Sequence, residues 1–80
     1  MQEDLDQLTL LSQPECPGWA RSRAEMALAL CEQAQGGGLD EWEFAELMQR
    51  LTGPELDREA DDLELKARLI THILGAADLV

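Results

Sequence analysis

The sequence predicts an all-α fold, a compact bundle of three to four helices, and three observations carry that prediction. Leucine and alanine supply 25 of the 80 residues, whereas valine, isoleucine and threonine supply six, and β-branched residues are the ones that favour strands. No segment alternates apolar and polar residues with the period of two that a half-buried strand requires. Apolar residues instead recur at spacings of three and four, which place them on one face of a helix. A chain of 80 residues is expected to form one domain, 1–80, that buries only about 60% of its unfolded surface.

The first helix is expected over about residues 3–11, with Leu5, Leu8 and Leu11 as its apolar contacts, and Pro14, Pro17 and Gly18 end it in a turn. The second helix runs from Pro17 or Trp19 to Gln35. Ala20, Ala24, Ala27, Leu28 and Cys31 form its main stripe, and Trp19, Met26 and Leu30 widen the buried arc. The alanines permit close helix approach. Gly36, Gly37 and Gly38 stop it, because glycine reaches the left-handed conformation of a helix C-cap.

The third helix is expected over about Leu39 to Thr52. Asp40, Glu41 and Glu43 lie at its start, where the helix dipole favours negative charge, and Arg50 lies in its last turn. Phe44, Leu47, Met48 and Leu51 define its buried face, with Glu43 and Glu46 exposed. Beyond Gly53-Pro54, apolar residues at Leu56, Ala60, Leu63, Ala67, Ile70 and Leu74 are spaced 4, 3, 4, 3, 4, the pattern of a heptad seam. Leu65, Leu69 and Ile73 add a second stripe. Asp61 followed by Glu64 reads as a capping box, so the segment is expected as one bent helix or a short helix and a longer one. It should end near Gly75, with residues 76–80 frayed.

The formal net charge is −11, from 17 acidic and 6 basic residues. That balance opposes direct binding to nucleic-acid backbones and to anionic membrane surfaces. The acidic start at Glu3 and Asp4 differs from the basic opening of a secretory signal, and no apolar run approaches bilayer-spanning length. A cytoplasmic location, with Cys16 and Cys31 as reduced thiols, is the expectation.

No catalytic set, cofactor or metal site is expected. His72, the single histidine, has no partner nucleophile in a recognisable motif, and its place late in the last helix suits a structural role. Glu55, Asp57, Glu59, Asp61, Asp62 and Glu64 crowd one stretch, yet it lacks the turn-making glycine of a calcium loop. Asp57, Asp61 and Asp62 avoid the seam and so should be dispensable for the fold. The segment 40–47 faintly resembles the modified helix of acyl carrier proteins over about eight residues of low complexity, too little to place the chain in that family. Glu41 stands where their serine is required, so phosphopantetheine has no attachment point and only a degenerate carrier-like domain would be left.

Negative charge gathers at both ends and in the third helix, while the second helix is nearly balanced. On a wheel of about 100° per residue, Trp42 falls opposite the Phe44 face, among Glu43, Glu46 and Gln49. An aromatic ringed by carboxylates can anchor a contact, although packing against the first helix or the glycine turn would equally occupy it. Arg21 and Arg23 are expected to be held by Glu3, Asp4 or Asp6.

These features lead to the expectation of a small, acidic, non-enzymatic interaction protein. It would cover a basic, nucleic-acid-binding surface of a larger protein and inhibit or regulate it, using Asp40, Glu41, Trp42, Glu43, Glu46 and the run Glu55, Asp57, Glu59, Asp61, Asp62 and Glu64. Acidic inhibitors of phages and mobile elements, anti-CRISPR proteins among them, are of this physical type. The alternative is an adaptor, chaperone or assembly factor that binds a partner helix through apolar stripes. A homodimer through residues 56–74 is a further expectation, because the seam is long for so short a chain.

Overall fold

The computed structural model describes residues 2–78. It is all-helical: α1 (Gln2–Leu11), α2 (Gly18–Gln35), α3 (Glu41–Arg50), α4 (Pro54–Glu59) and α5 (Leu63–Ala77). Four helices of ten residues or more make the bundle. The six-residue α4 links α3 to α5. Helices α2 and α5 pack together, and α1 and α3 each pack against both.

The packing follows from the stripes. Leu8 and Leu11 of α1, Ala20, Ala24, Ala27 and Cys31 of α2, and Phe44 and Met48 of α3 are buried in one core with Leu51, Leu56, Leu69, Ile73 and Ala76. Small residues on α2 bring its backbone close to its neighbours. Burial pushes the Cys31 thiol above the ordinary range, since desolvation disfavours the thiolate.

The helix ends match their chemistry. The Asp40 carboxylate accepts from the Glu43 backbone N–H at 2.8 Å and starts α3. The cap of α5 is Asp62, which accepts from the Leu65 N–H at 3.1 Å, so the expected box on Asp61 is displaced by one residue. Gly37 adopts φ 83° after the end of α2, in the region where a side chain would be strained.

The largest departure concerns the expected seam. The segment 54–77 is two helices, and extended backbone at Ala60 and Asp62 separates them. A heptad phase does not survive such a break, because the second helix starts at a new rotation. Leu56 is buried, but Leu63 is 78% exposed, Ala67 is exposed, Ile70 is half-buried and Leu74 is 40% exposed. The core face of α5 is the other stripe, Leu69, Ile73 and Ala76, with Leu65 packed against it.

Smaller corrections have equally local causes. Leu47 is half-buried while Phe44, Met48 and Leu51 are buried, because it lies at the margin of the α3 face. Met26, expected in the buried arc of α2, is 54% exposed. Helix α5 continues through Gly75 to Ala77, and Ala76 is fully buried rather than frayed. Residues 79 and 80 lie outside the described residues. Gly75 itself faces α1: a Cβ there would sit 2.5 Å from Asp4 Oδ1. Its missing side chain lets that carboxylate lie 3.0 Å from His72 Nδ1, so the histidine joins α1 to α5.

The two arginines of α2 are held differently from expectation. Arg21 donates to the Pro14 carbonyl at 3.2 Å. Arg23 donates to the Trp19 carbonyl at 3.1 Å and pairs with Glu59 at 2.6 Å. Asp4 is turned to His72, and α4 brings its own carboxylate across α2 instead.

Candidate interaction surface

The carboxylates singled out in the sequence fall into two groups once their surroundings are known. Four of the six in the 55–64 run serve the fold. Asp57 takes Lys66 at 2.5 Å and Glu59 takes Arg23. Asp61 accepts from Trp19 Nε1–H at 3.1 Å, and Asp62 caps α5. Their clear position relative to the apparent seam therefore does not make Asp57, Asp61 and Asp62 dispensable. They tie α4 and the start of α5 to α2 and to each other. Glu55 and Glu64, at the two ends of the run, are exposed.

The α3 group is arranged otherwise. Asp40 is occupied as the cap, and Glu46 lies 3.0 Å from Arg50 one turn along. Glu41 and Glu43 are exposed, and neither side chain forms an ion pair among the described residues. Between them stands Trp42, 78% exposed. Its position follows from the sequence: Phe44 and Met48 take the inward face of α3, which turns residue 42 to the opposite side. With Glu41, Ala45, Ala77 and Asp78 it lines a shallow cleft of about 370 Å³ where α3 meets the end of α5. Neither α1 nor the glycine turn covers the indole.

A second surface was not singled out from the sequence. Met26, Ala29, Leu30, Gln33, Leu47, Arg50 and Leu51 line an apolar trough of about 430 Å³ between α2 and α3. It adjoins a cleft of about 550 Å³ that reaches Ser22, Arg23, Pro54, Glu55 and Glu59. The two depressions share Met26, Arg50 and Leu51. The signal was present in Met26, which lies on the edge of the wide apolar arc of α2. Only the position of α3 shows that this edge is left uncovered.

Among the described residues, no group of three or more histidine, cysteine or acidic side chains converges on a point that could hold a metal ion. None of their helices is long and apolar enough to cross a membrane. Comparison with protein-family models, curated proteins and solved structures returns no match to this chain.

Proposed function

We propose that the chain is a non-enzymatic interaction protein that seats the outer face of α3 on a basic surface of a larger protein, and so occludes a surface built for phosphate. The observation that carries this reading is Trp42, 78% exposed between the carboxylates of Glu41 and Glu43. A tryptophan offers roughly 150–250 Å² of area for burial. In a small domain it contributes most when a partner covers it. The surrounding negative charge would steer a cationic partner and speed encounter, while the indole would slow departure. Glu46, with the exposed Glu55 and Glu64, extends the acidic field.

The test is capture of partners from host cells with the wild-type chain and with a Trp42→Ala, Glu41→Lys, Glu43→Lys variant as baits, followed by association kinetics at increasing salt. The expected result is a partner with a basic surface that the variant fails to retain, with an on-rate that falls steeply as ionic strength rises. A partner retained equally by both baits would overturn the assignment to α3.

A second reading has one specific observation in its favour. The Met26–Leu30–Leu47 trough is an apolar surface of the kind that accepts a partner helix. Binding there would be nearly insensitive to salt and would be lost in Met26→Glu rather than in Trp42→Ala.

A further inference from the structure

The cleft beside Trp42 is built from two helices, and only part of it belongs to α3. Trp42 and Ala45 of α3 and Ala77 of α5 give it an apolar lining, and one carboxylate from each helix, Glu41 and Asp78, completes it. Both carboxylates are exposed. Asp78 is also the C-cap of α5, where the helix carbonyls already contribute about half a negative charge. No basic residue lies in the last turn of α5 to offset it. The start of α3 contributes about half a positive charge, but Asp40, Glu41 and Glu43 all crowd that end. The balance at the cleft is negative.

The molecule's own cations are placed elsewhere. Of the six lysines and arginines, Arg21 is held by the Pro14 carbonyl, Arg23 by Glu59, Arg50 by Glu46, Lys66 by Asp57 and Arg68 by Gln7. Arg58 lies on α4, and none of the six lines the cleft. Lys66 and Arg68 stand about 18 and 15 Å from Asp78 along α5, at about 1.5 Å per residue. His72 is turned to Asp4. Among the described residues, neither Glu41 nor Asp78 has an ion-pair partner.

An exposed indole beside two unpaired carboxylates matches one chemical group best. The face of a tryptophan ring attracts a cation laid over it. A guanidinium is planar, so it can stack on the ring while the N–H groups at its edge donate to carboxylates. A lysine ammonium is a strongly hydrated point charge and lacks that flat face. A second copy of this chain is a poor donor, because it brings a further charge of −11.

We infer that the Trp42 cleft is the seat of one arginine side chain of the partner, its guanidinium flat on the indole and its N–H groups donated to Glu41 and Asp78. The inference rests on the proposed acidic-surface function. It adds the end of α5 to that surface and names the group recognised there.

The test follows the indole N–H signals of Trp19 and Trp42 by NMR in the isotope-labelled full chain, assigned with Trp42→Phe. The probes are blocked tripeptides with arginine, lysine or citrulline between glycines; citrulline keeps the shape of arginine without its charge. A hexalysine peptide tests the acidic surface alone. The expected result is a saturable shift of the Trp42 signal, and not of Trp19, with the arginine peptide at a Kd on the order of 10 mM. Lysine should bind about two- to fivefold more weakly, the worth of an exposed cation–π contact, and citrulline should leave the signal unmoved. Glu41→Gln and Asp78→Asn should each weaken arginine binding about two- to fivefold. Trp42→Leu, read on the backbone signals of Ala45 and Ala77, should remove the preference for arginine over lysine. Circular dichroism checks that each variant keeps its helices, and all three positions are exposed. Equal binding of arginine with lysine or with citrulline, or arginine binding untouched by Asp78→Asn, would overturn the seat. Binding of hexalysine without the arginine tripeptide would overturn it as well and leave the acidic-surface reading standing. Failure of both at low salt would overturn both.

Discussion

Residues 40–46 and 55–64 have much the same composition, acidic side chains interleaved with apolar ones, yet the fold uses them in opposite ways. In the second stretch Asp57, Glu59 and Asp61 meet Lys66, Arg23 and Trp19. Two of these contacts span 36 and 42 positions of sequence, so their charges are engaged across the fold and partly neutralised. In the first, the contacts are local: Asp40 caps its own helix and Glu46 reaches Arg50 one turn away. Glu41 and Glu43 are left facing solvent beside Trp42. An acidic run is thus left free in the folded molecule only where no cation of the same molecule lies within reach. That is decided by which helices the run is packed against.

The harshest check separates the two faces of α3. Phe44→Ala should destabilise by about 3–5 kcal/mol, as for other buried aromatics, whereas Trp42→Ala should stay within about 0.5 kcal/mol as a surface change. Urea unfolding measures both. A large loss from Trp42→Ala would mean that the indole supports the fold and would remove the contrast on which the α3 surface rests.

Next in size is reversal of the carboxylates that pair across the fold. Asp57→Lys, Glu59→Lys and Asp61→Lys together should cost about 1–3 kcal/mol, a modest sum because each contact is partly exposed and screened. Glu59→Lys adds like-charge repulsion at Arg23, whose side chain is only 11% exposed. Thermal melting that matched the wild type would show that this run is as free as α3.

Smaller still is Glu41→Gln with Glu43→Gln. Its expected cost is about 0.5 kcal/mol, from the lost interaction with the α3 dipole, and it should slow association with a basic partner without altering salt-independent dissociation. Stopped-flow kinetics would check the split. The smallest net effect is expected at Gly75→Ala. Better helix propensity contributes about 1 kcal/mol, but the new methyl would displace Asp4 from His72 and cost a similar amount. Adding Asp4→Ala should release the propensity gain, so the double variant should be the more stable one by calorimetry. A clear loss of stability in both variants would show that the close approach of α1 depends on the glycine backbone itself.

Much of this arrangement was legible in one dimension. The buried stripes of α1 and α2, the inward Phe44 and Met48 with Trp42 opposite them, and the stop at Gly36–Gly38 follow from local periodicity and capping, which act over three or four residues and leave their mark in spacing. The α5 register was misread for a definable reason. Leu56 to Leu74 has heptad spacing, but Ala60 to Asp62 leave the helix, and a phase carried across such a break has no meaning in space.

What the sequence by itself determined is the all-α class, most helix boundaries and a net charge of −11, because propensity, capping and charge are properties of short segments. Only the tertiary structure decided which of the two α5 stripes is core, which arginine meets which carboxylate, and that Met26, Trp42, Leu63 and Leu74 lie on the surface. Those outcomes depend on how many helices can pack around one helix. The contacts of α1, α2 and α3 cover one side of α5, and whatever apolar residues it carries on the other side stay in water until something else covers them.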